Sequence, residues 1–189
     1  MPVDLKKPTV FSSIKAKSLK IIREKEIKAM NIGSLSPDFA LLNTKGDEWR
    51  LSERRGTVVA LLFYPGDETI VCTKQLCSVR DNWARYIEAG AEVVAISPGT
   101  ESEHHQFAAH HALPMPLLAD SGRAVTQIYG SHWWMPIWAT RSVVVVDAKG
   151  LVRYRDVMLR AFRPSDDDVL AEIHLAKYDL LSERRLATS

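Results

Sequence analysis

A chain of 189 residues, 46% hydrophobic and 25% charged, has enough apolar side chain for one buried core with extensions and too little length for two full domains. No stretch approaches the roughly 18 uninterrupted apolar residues of a membrane-spanning helix, and no basic, apolar and cleavable leader opens the chain, so a soluble, cytoplasmic protein is expected. The formal net charge of +2 conceals an imbalance, because residues 1–31 hold eight Lys or Arg against three acids, a balance of +5 that leaves −3 for the remainder. This basic stretch carries Phe11, Ile14, Ile21 and Ile22, a pattern able to touch anionic lipid or nucleic acid. Charge runs are more often simply solvated, so the favoured reading is a partly helical extension, residues 1–33, ahead of a domain over 34–189, with no nucleic acid and no membrane span involved. A transit peptide is not supported, since the stretch is lysine-rich and carries acids.

Residues 36–42 and 49–51 flank the polar stretch 43–48, a hairpin pattern with Gly46 in the turn. Residues 57–64 are apolar, rich in β-branched side chains and bounded by Gly56 and Pro65, as a buried strand would be. Leu76, Val79, Trp83 and Ile87 then recur at helical spacing, which predicts one helix with Cys72 in its first turn and Gly90 at its end. A second buried strand, 91–97, follows, and Thr100 with Glu103 makes a capping box that opens a helix through His111. Pro114 and Pro116 stop it. Residues 117–119 are a short strand candidate and 123–129 a short helix, while 142–147 and 151–155 read as two strands about a tight turn. Ser165 caps a last helix with Asp166, Asp167 and Asp168 in its first turn, continuing to about Glu183. Strands alternating with helices predict an α/β fold with a mixed, largely parallel central sheet, an antiparallel portion from the last hairpin, and helices on both faces.

The chemistry concentrates where the strand ending at Tyr64 turns into the cysteine helix. A helix N-terminus presents unpaired N–H groups and about half a positive charge, which favours thiolate over thiol. Free cysteine is also among the most buried and inert of residues, so a core role competes for Cys72, and more strongly for Cys77. The chain has only these two cysteines, five residues apart, too few and too close for a secreted disulfide framework and better suited to redox chemistry. Arg141 opens a strand of four valines, where a charge points to a cavity-facing role or to a surface ion pair. Thr69 and Pro65 are ordinary turn residues on their own.

Ser36-Pro37-Asp38-Phe39, the strand end Phe63-Tyr64-Pro65, the spacing Pro65-x-x-x-Thr69-x-x-Cys72 and Arg141 ahead of Val143 resemble the peroxiredoxins, and the likeness covers about residues 34–157. Cys77, five residues after Cys72, is similar to the resolving cysteine of the Q-type, or bacterioferritin-comigratory, subgroup. The resemblance implies a thioredoxin-like fold that reduces hydrogen peroxide and alkyl hydroperoxides, with Cys72 as peroxidatic thiol, Cys77 as resolving thiol, and Pro65, Thr69 and Arg141 completing the site. It implies no metal and no organic cofactor, thioredoxin or a similar dithiol as reductant, and a monomer or homodimer. Ile70-Val71 stands where the subgroup often has Pro-Gly, which bears on the flexibility of the loop.

Physical roles can be given to the same residues. Attack by a thiolate on a peroxide stretches an O–O bond, so the site must ionise the sulfur and stabilise charge on both oxygens. Helix N–H groups and the Arg141 guanidinium suit the sulfur and the leaving oxygen, Thr69 offers a hydroxyl that both donates and accepts, and Pro65 removes a competing N–H. His104, His105, His110 and His111 are expected to decorate an exposed helix, since His104 and His111 lie about 10 Å apart along the axis and no zinc-type spacing is present. Trp133, Trp134 and Trp138 suit packing or a subunit contact more than the chemistry. Two rivals remain: a thiol-disulfide oxidoreductase, which lacks its Cys-x-x-Cys, and a redox-responsive switch or binding module without turnover.

Overall fold

The structure, a computed structural model, describes residues 30–129, 140–159 and 164–187. The basic stretch before residue 30 and the three tryptophans at 133, 134 and 138 lie outside them. The elements are β1 (Ala40–Asn43), β2 (Glu48–Arg50), β3 (Val58–Phe63), α1 (Ile70–Asp81), α2 (Trp83–Ala89), β4 (Ala91–Ser97), α3 (Glu101–His110), β5 (Leu117–Ala119), α4 (Ala124–Ile128), β6 (Thr140–Val146), β7 (Val152–Leu159) and α5 (Asp166–Ala187). The strands form one seven-stranded sheet in the order β2-β1-β5-β4-β3-β6-β7.

The sheet is mixed, but it is not largely parallel. Only β3–β4 and β4–β5 run parallel, while β1–β2, β1–β5, β3–β6 and β6–β7 are antiparallel. A parallel pair needs a crossover, and the two in this sheet are supplied by α1 with α2 and by α3. Short turns join the two hairpins, one at each edge.

Every residue of β3 is buried, so the continuous apolar run reflects a strand covered on both faces. Period-two alternation divides the core. Val58, Ala60 and Leu62 of β3, Val93 and Ala95 of β4, and Val143 and Val145 of β6 face one side, where α1, α2, α3 and α5 bring Leu76, Val79, Tyr86, Phe107, Leu170 and Ile173. Val59, Leu61 and Phe63, Val94 and Ile96, and Val144 and Val146 face the other, packed by Phe39, Trp49, Val125 of α4 and Tyr129. Helices therefore lie on both faces, unevenly. On the second face Tyr129 stacks on Phe63 at 5.1 Å and its hydroxyl donates to the Pro37 carbonyl at 2.6 Å, pinning the segment before β1 to the end of β3.

The predicted single helix to Gly90 is two helices that meet at Asn82. The Asn82 side chain donates to the Ser78 carbonyl at 3.0 Å, the competition with the backbone that makes asparagine a poor helix-interior residue. Gly90 does end α2 in the left-handed conformation, with φ 71°. The capping box of α3 is present: Glu103 N–H donates to Thr100 Oγ1 at 3.3 Å and Thr100 N–H to Glu103 Oε2 at 2.7 Å. Thr100→Ala is expected to cost about 1 kcal/mol, measured as a lower urea midpoint with an unchanged slope.

Candidate active site

Parity along β6 aims Arg141. It sits two residues before Val143 and so faces the side covered by α1, while β3 pairs with β6 as Phe63↔Ser142, which puts the end of β3 beside it. Beyond Phe63 the chain passes through buried Tyr64, turns at Pro65 and Gly66, and enters α1 at Ile70. Glu68 in that turn has φ 53°, a left-handed conformation uncommon for a side chain of its kind. Thr69 is the N-cap residue with extended backbone, but its side chain makes no capping bond; Oγ1 donates instead to the Gly66 carbonyl at 3.4 Å.

Cys72 is the third residue of α1, and its side chain is fully buried. Arg141, also fully buried, donates from Nη2 to Cys72 Sγ at 3.4 Å and from Nη1 to Gln75 Oε1. Its Nε has no hydrogen-bond partner among the described residues. A guanidinium taken out of water requires compensating charge. Among the described residues no carboxylate supplies it, and the sulfur is the one ionisable atom that Arg141 is shown to touch.

Four of the five residues singled out in the sequence thus lie on one turn and the strand beneath it: Pro65, Thr69, Cys72 and Arg141. Cys77 lies farther along the same unbroken helix, half-buried, and both thiols are free. Ile70, treated above only as a departure in the loop, is 75% exposed, and a cavity of about 400 Å³ lined by Glu68, Thr69, Ile70 and Val71 opens over the first turn of α1.

Two features were missed. Gln75 is buried and holds Arg141, and its signal was a polar residue three positions after Cys72 on a helix face otherwise apolar. The second is a buried chain of polar groups behind the loop. Tyr64 donates from its hydroxyl to Asp67 at 2.7 Å, the other Asp67 oxygen meets His104 Nδ1 at 2.7 Å, and His104 Nε2 lies 3.3 Å from Ser97 Oγ. Burial, and then the Asp67 charge, push the Tyr64 phenol well above its ordinary range, so it remains a donor. His104 is therefore a core residue and not part of an exposed face: it shares the inward stripe of α3 with Phe107, while His105 and His110 are exposed and His111 is half-buried.

The profile of the AhpC/TSA family matches residues 32–155, which contain all of these groups. The chain belongs to the AhpC/TSA family, the peroxiredoxins. Within it the chain is 41% identical to the chloroplastic peroxiredoxin Q of Triticum aestivum over 127 residues, 65% of this chain and 57% of that protein. It is 36% identical to the chloroplastic peroxiredoxin Q of Sedum lineare over 147 residues, 75% of this chain and 77% of that one. The chain thus spans less than two thirds of the wheat relative. Among solved structures, the peroxidoxin BcpB of Mycobacterium tuberculosis superposes with a TM-score of 0.69 at 29% identity, covering 77% of this chain and 97% of that one. These peroxiredoxin relatives are Q-type, as the Cys72 to Cys77 spacing leads one to expect. Among the described residues no helix is long and apolar enough to cross a membrane.

Proposed function

We propose that this chain is a thiol peroxidase acting on hydrogen peroxide and alkyl hydroperoxides, with Cys72 as nucleophile and Cys77 as resolving thiol. The observation that carries the reading is the buried Arg141 guanidinium held by Gln75 and aimed at Cys72 Sγ with no carboxylate beside it among the described residues. Ionised, the sulfur supplies the missing negative charge. It attacks the outer peroxide oxygen, an S–O bond forms as the O–O bond breaks, and the departing alkoxide or hydroxide takes up a proton and leaves as alcohol or water. In this reading the Arg141 Nε–H and the amides of the first turn of α1 are donors for those oxygens, the Thr69 hydroxyl leaves the Gly66 carbonyl to pass a proton, and Pro65 shapes the loop. The Cys72 sulfenic acid then condenses with the Cys77 thiol, releasing water and leaving a disulfide. Thioredoxin or a similar dithiol reduces it and is itself oxidised.

This chemistry uses no metal or organic cofactor. Residues 34–189 are taken as the catalytic domain, residues 1–33 as an extension, the protein as a monomer or homodimer, and its compartment as a reducing cytoplasm, on cysteine usage. The deciding experiment is peroxide consumption with thioredoxin, its reductase and NADPH. Continued turnover is expected, whereas oxidation of one equivalent followed by arrest would favour a redox switch. Arg141→Gln is expected to slow the reaction with peroxide about 10²-fold, the scale of losing one oriented donor to a developing oxyanion. An unchanged rate constant in stopped-flow measurements would make Arg141 structural.

A further inference from the structure

Glu68, in the turn before α1, and His110 and His111, at the end of α3, are 42 and 43 residues apart in sequence and meet on the surface. His110 Nδ1 lies 3.3 Å from Glu68 Oε1, His111 Nε2 lies 3.4 Å from Glu68 Oε2, and one ligand atom from each residue falls within 4.8 Å of the other two. The two imidazoles are stacked with centroids 4.4 Å apart and planes 28° from parallel. The Glu68 carboxylate thus lies between the two ring nitrogens, one oxygen toward each.

We infer that Glu68, His110 and His111 form a binding site for a divalent metal of the zinc class, which ties the turn before Cys72 to α3. Two imidazoles and one carboxylate suit Zn²⁺, and also Cu²⁺ or Ni²⁺, rather than Mg²⁺ or Ca²⁺, which take oxygen ligands. With metal–ligand bonds near 2.0–2.1 Å, tetrahedral ligand atoms stand about 3.3–3.4 Å apart, and each histidine already stands at that distance from one Glu68 oxygen, His110 from Oε1 and His111 from Oε2, with one ligand atom of each residue within 4.8 Å of the others. Convergence on one ion requires the exposed His110 ring to leave its stack on His111 and turn toward the oxygen that His111 faces. The fourth position faces solvent and takes water. His104 and His111 stand too far apart along the helix to share one ion; the site uses His110, the neighbour of His111, and a carboxylate brought in from a distant turn.

Position gives the site its consequence. Glu68 stands four residues before Cys72, in a left-handed backbone conformation, and the same turn is already attached to α3 through Asp67 and His104. Bound metal adds a stronger attachment two residues before the helix start and so resists unwinding of the first turn. The site rests on these three side chains alone; only its effect on turnover rests on the peroxidase reading.

The test uses the full chain carrying Cys72→Ser and Cys77→Ser, which removes the competing thiols. Zn²⁺ titrated by calorimetry at neutral pH is expected to bind in one saturable step, and Co²⁺ to give the visible absorption of a four-coordinate ion. Glu68→Gln, His110→Ala and His111→Ala should each weaken Zn²⁺ at least about tenfold, while His105→Ala, exposed on the same helix, should not. His111 packs edge-on against Phe107, so His110→Ala, on a side chain 70% exposed, guards against loss of fold. Amide exchange across residues 65–74 should slow with Zn²⁺ in the parent and not in His110→Ala. Absence of saturable binding, or equal affinity in the His110→Ala and Glu68→Gln variants, overturns the site; binding without slower exchange overturns its hold on the turn.

Discussion

Cys72→Ser is expected to reduce peroxide consumption to the buffer background while the protein stays folded. The side chain is fully buried and touches Arg141, so the replacement must keep both volume and a hydrogen-bond acceptor. Serine keeps both. What it lacks is an ionised nucleophile at neutral pH, because a hydroxyl without an adjacent general base is weak, and the polar group shown here to touch Cys72 is a guanidinium, which cannot accept a proton. The thermal midpoint is expected to shift only modestly, since Arg141 retains Gln75 and gains a neutral oxygen in place of sulfur. Cys77→Ser separates the two thiols: it should consume about one equivalent of peroxide and then stop, or continue only with an added thiol. Measurable thioredoxin-dependent turnover in Cys72→Ser would remove Cys72 from the role of nucleophile.

The parts of this site that local chemistry dictates could be read before the fold. The apolar run 57–64, which forms β3 over Val58–Phe63, the proline and glycine of the turn, the first turn of α1 around Cys72 and the Thr100 capping box each depend on a few adjacent residues, and each lies within a residue or so of where the pattern puts it. Arg141 was legible for a related reason: a charge opening a strand of valines is costly unless something inside receives it, and the structure brings Cys72 and Gln75 to it. What local pattern does not carry is pairing at a distance. Gln75 matters because β6 runs beneath α1, and the burial of His104 because Asp67 reaches it across 37 residues of chain. The sheet was expected to be largely parallel because alternating elements suggest crossovers, whereas strand order depends on which edge each hairpin joins. The break at Asn82 was legible in principle, but Trp83 and Ile87 keep the helical period across it.

Oxidation of the two thiols to one disulfide is expected to unwind most of α1. In a regular helix, residues five apart are rotated about 140° and rise about 7.5 Å, which sets their Cα atoms roughly 8.6 Å apart. A disulfide spans no more than about 7 Å between Cα atoms. Both cysteines lie within the unbroken helix Ile70–Asp81, so the bond cannot form until that helix opens. The structure indicates from which end. Thr69 supplies no side-chain cap and Ile70 is 75% exposed, so the N-terminal turn is held mainly by the burial of Cys72 and its contact with Arg141, and the sulfur is the atom that oxidation changes. The other end is anchored: Arg80 donates to the His111 carbonyl at 2.7 Å, and Ser78 donates to Asp166 at the start of α5. Unwinding should therefore run from residue 70 through Cys77 and stop near Ser78. Leu76, fully buried, must leave the core, at a cost of about 1.5–3 kcal/mol, which slows resolution but does not forbid it. Mass spectrometry after one equivalent of peroxide should find an intramolecular Cys72–Cys77 bond, and amide exchange over residues 70–77 should accelerate by about 10² or more, with residues 78–81 less affected. A disulfide formed with the protection of residues 70–77 unchanged would refute the unwinding, and persistent sulfenic acid in place of the disulfide would make Cys77 a core residue and the protein a one-cysteine enzyme.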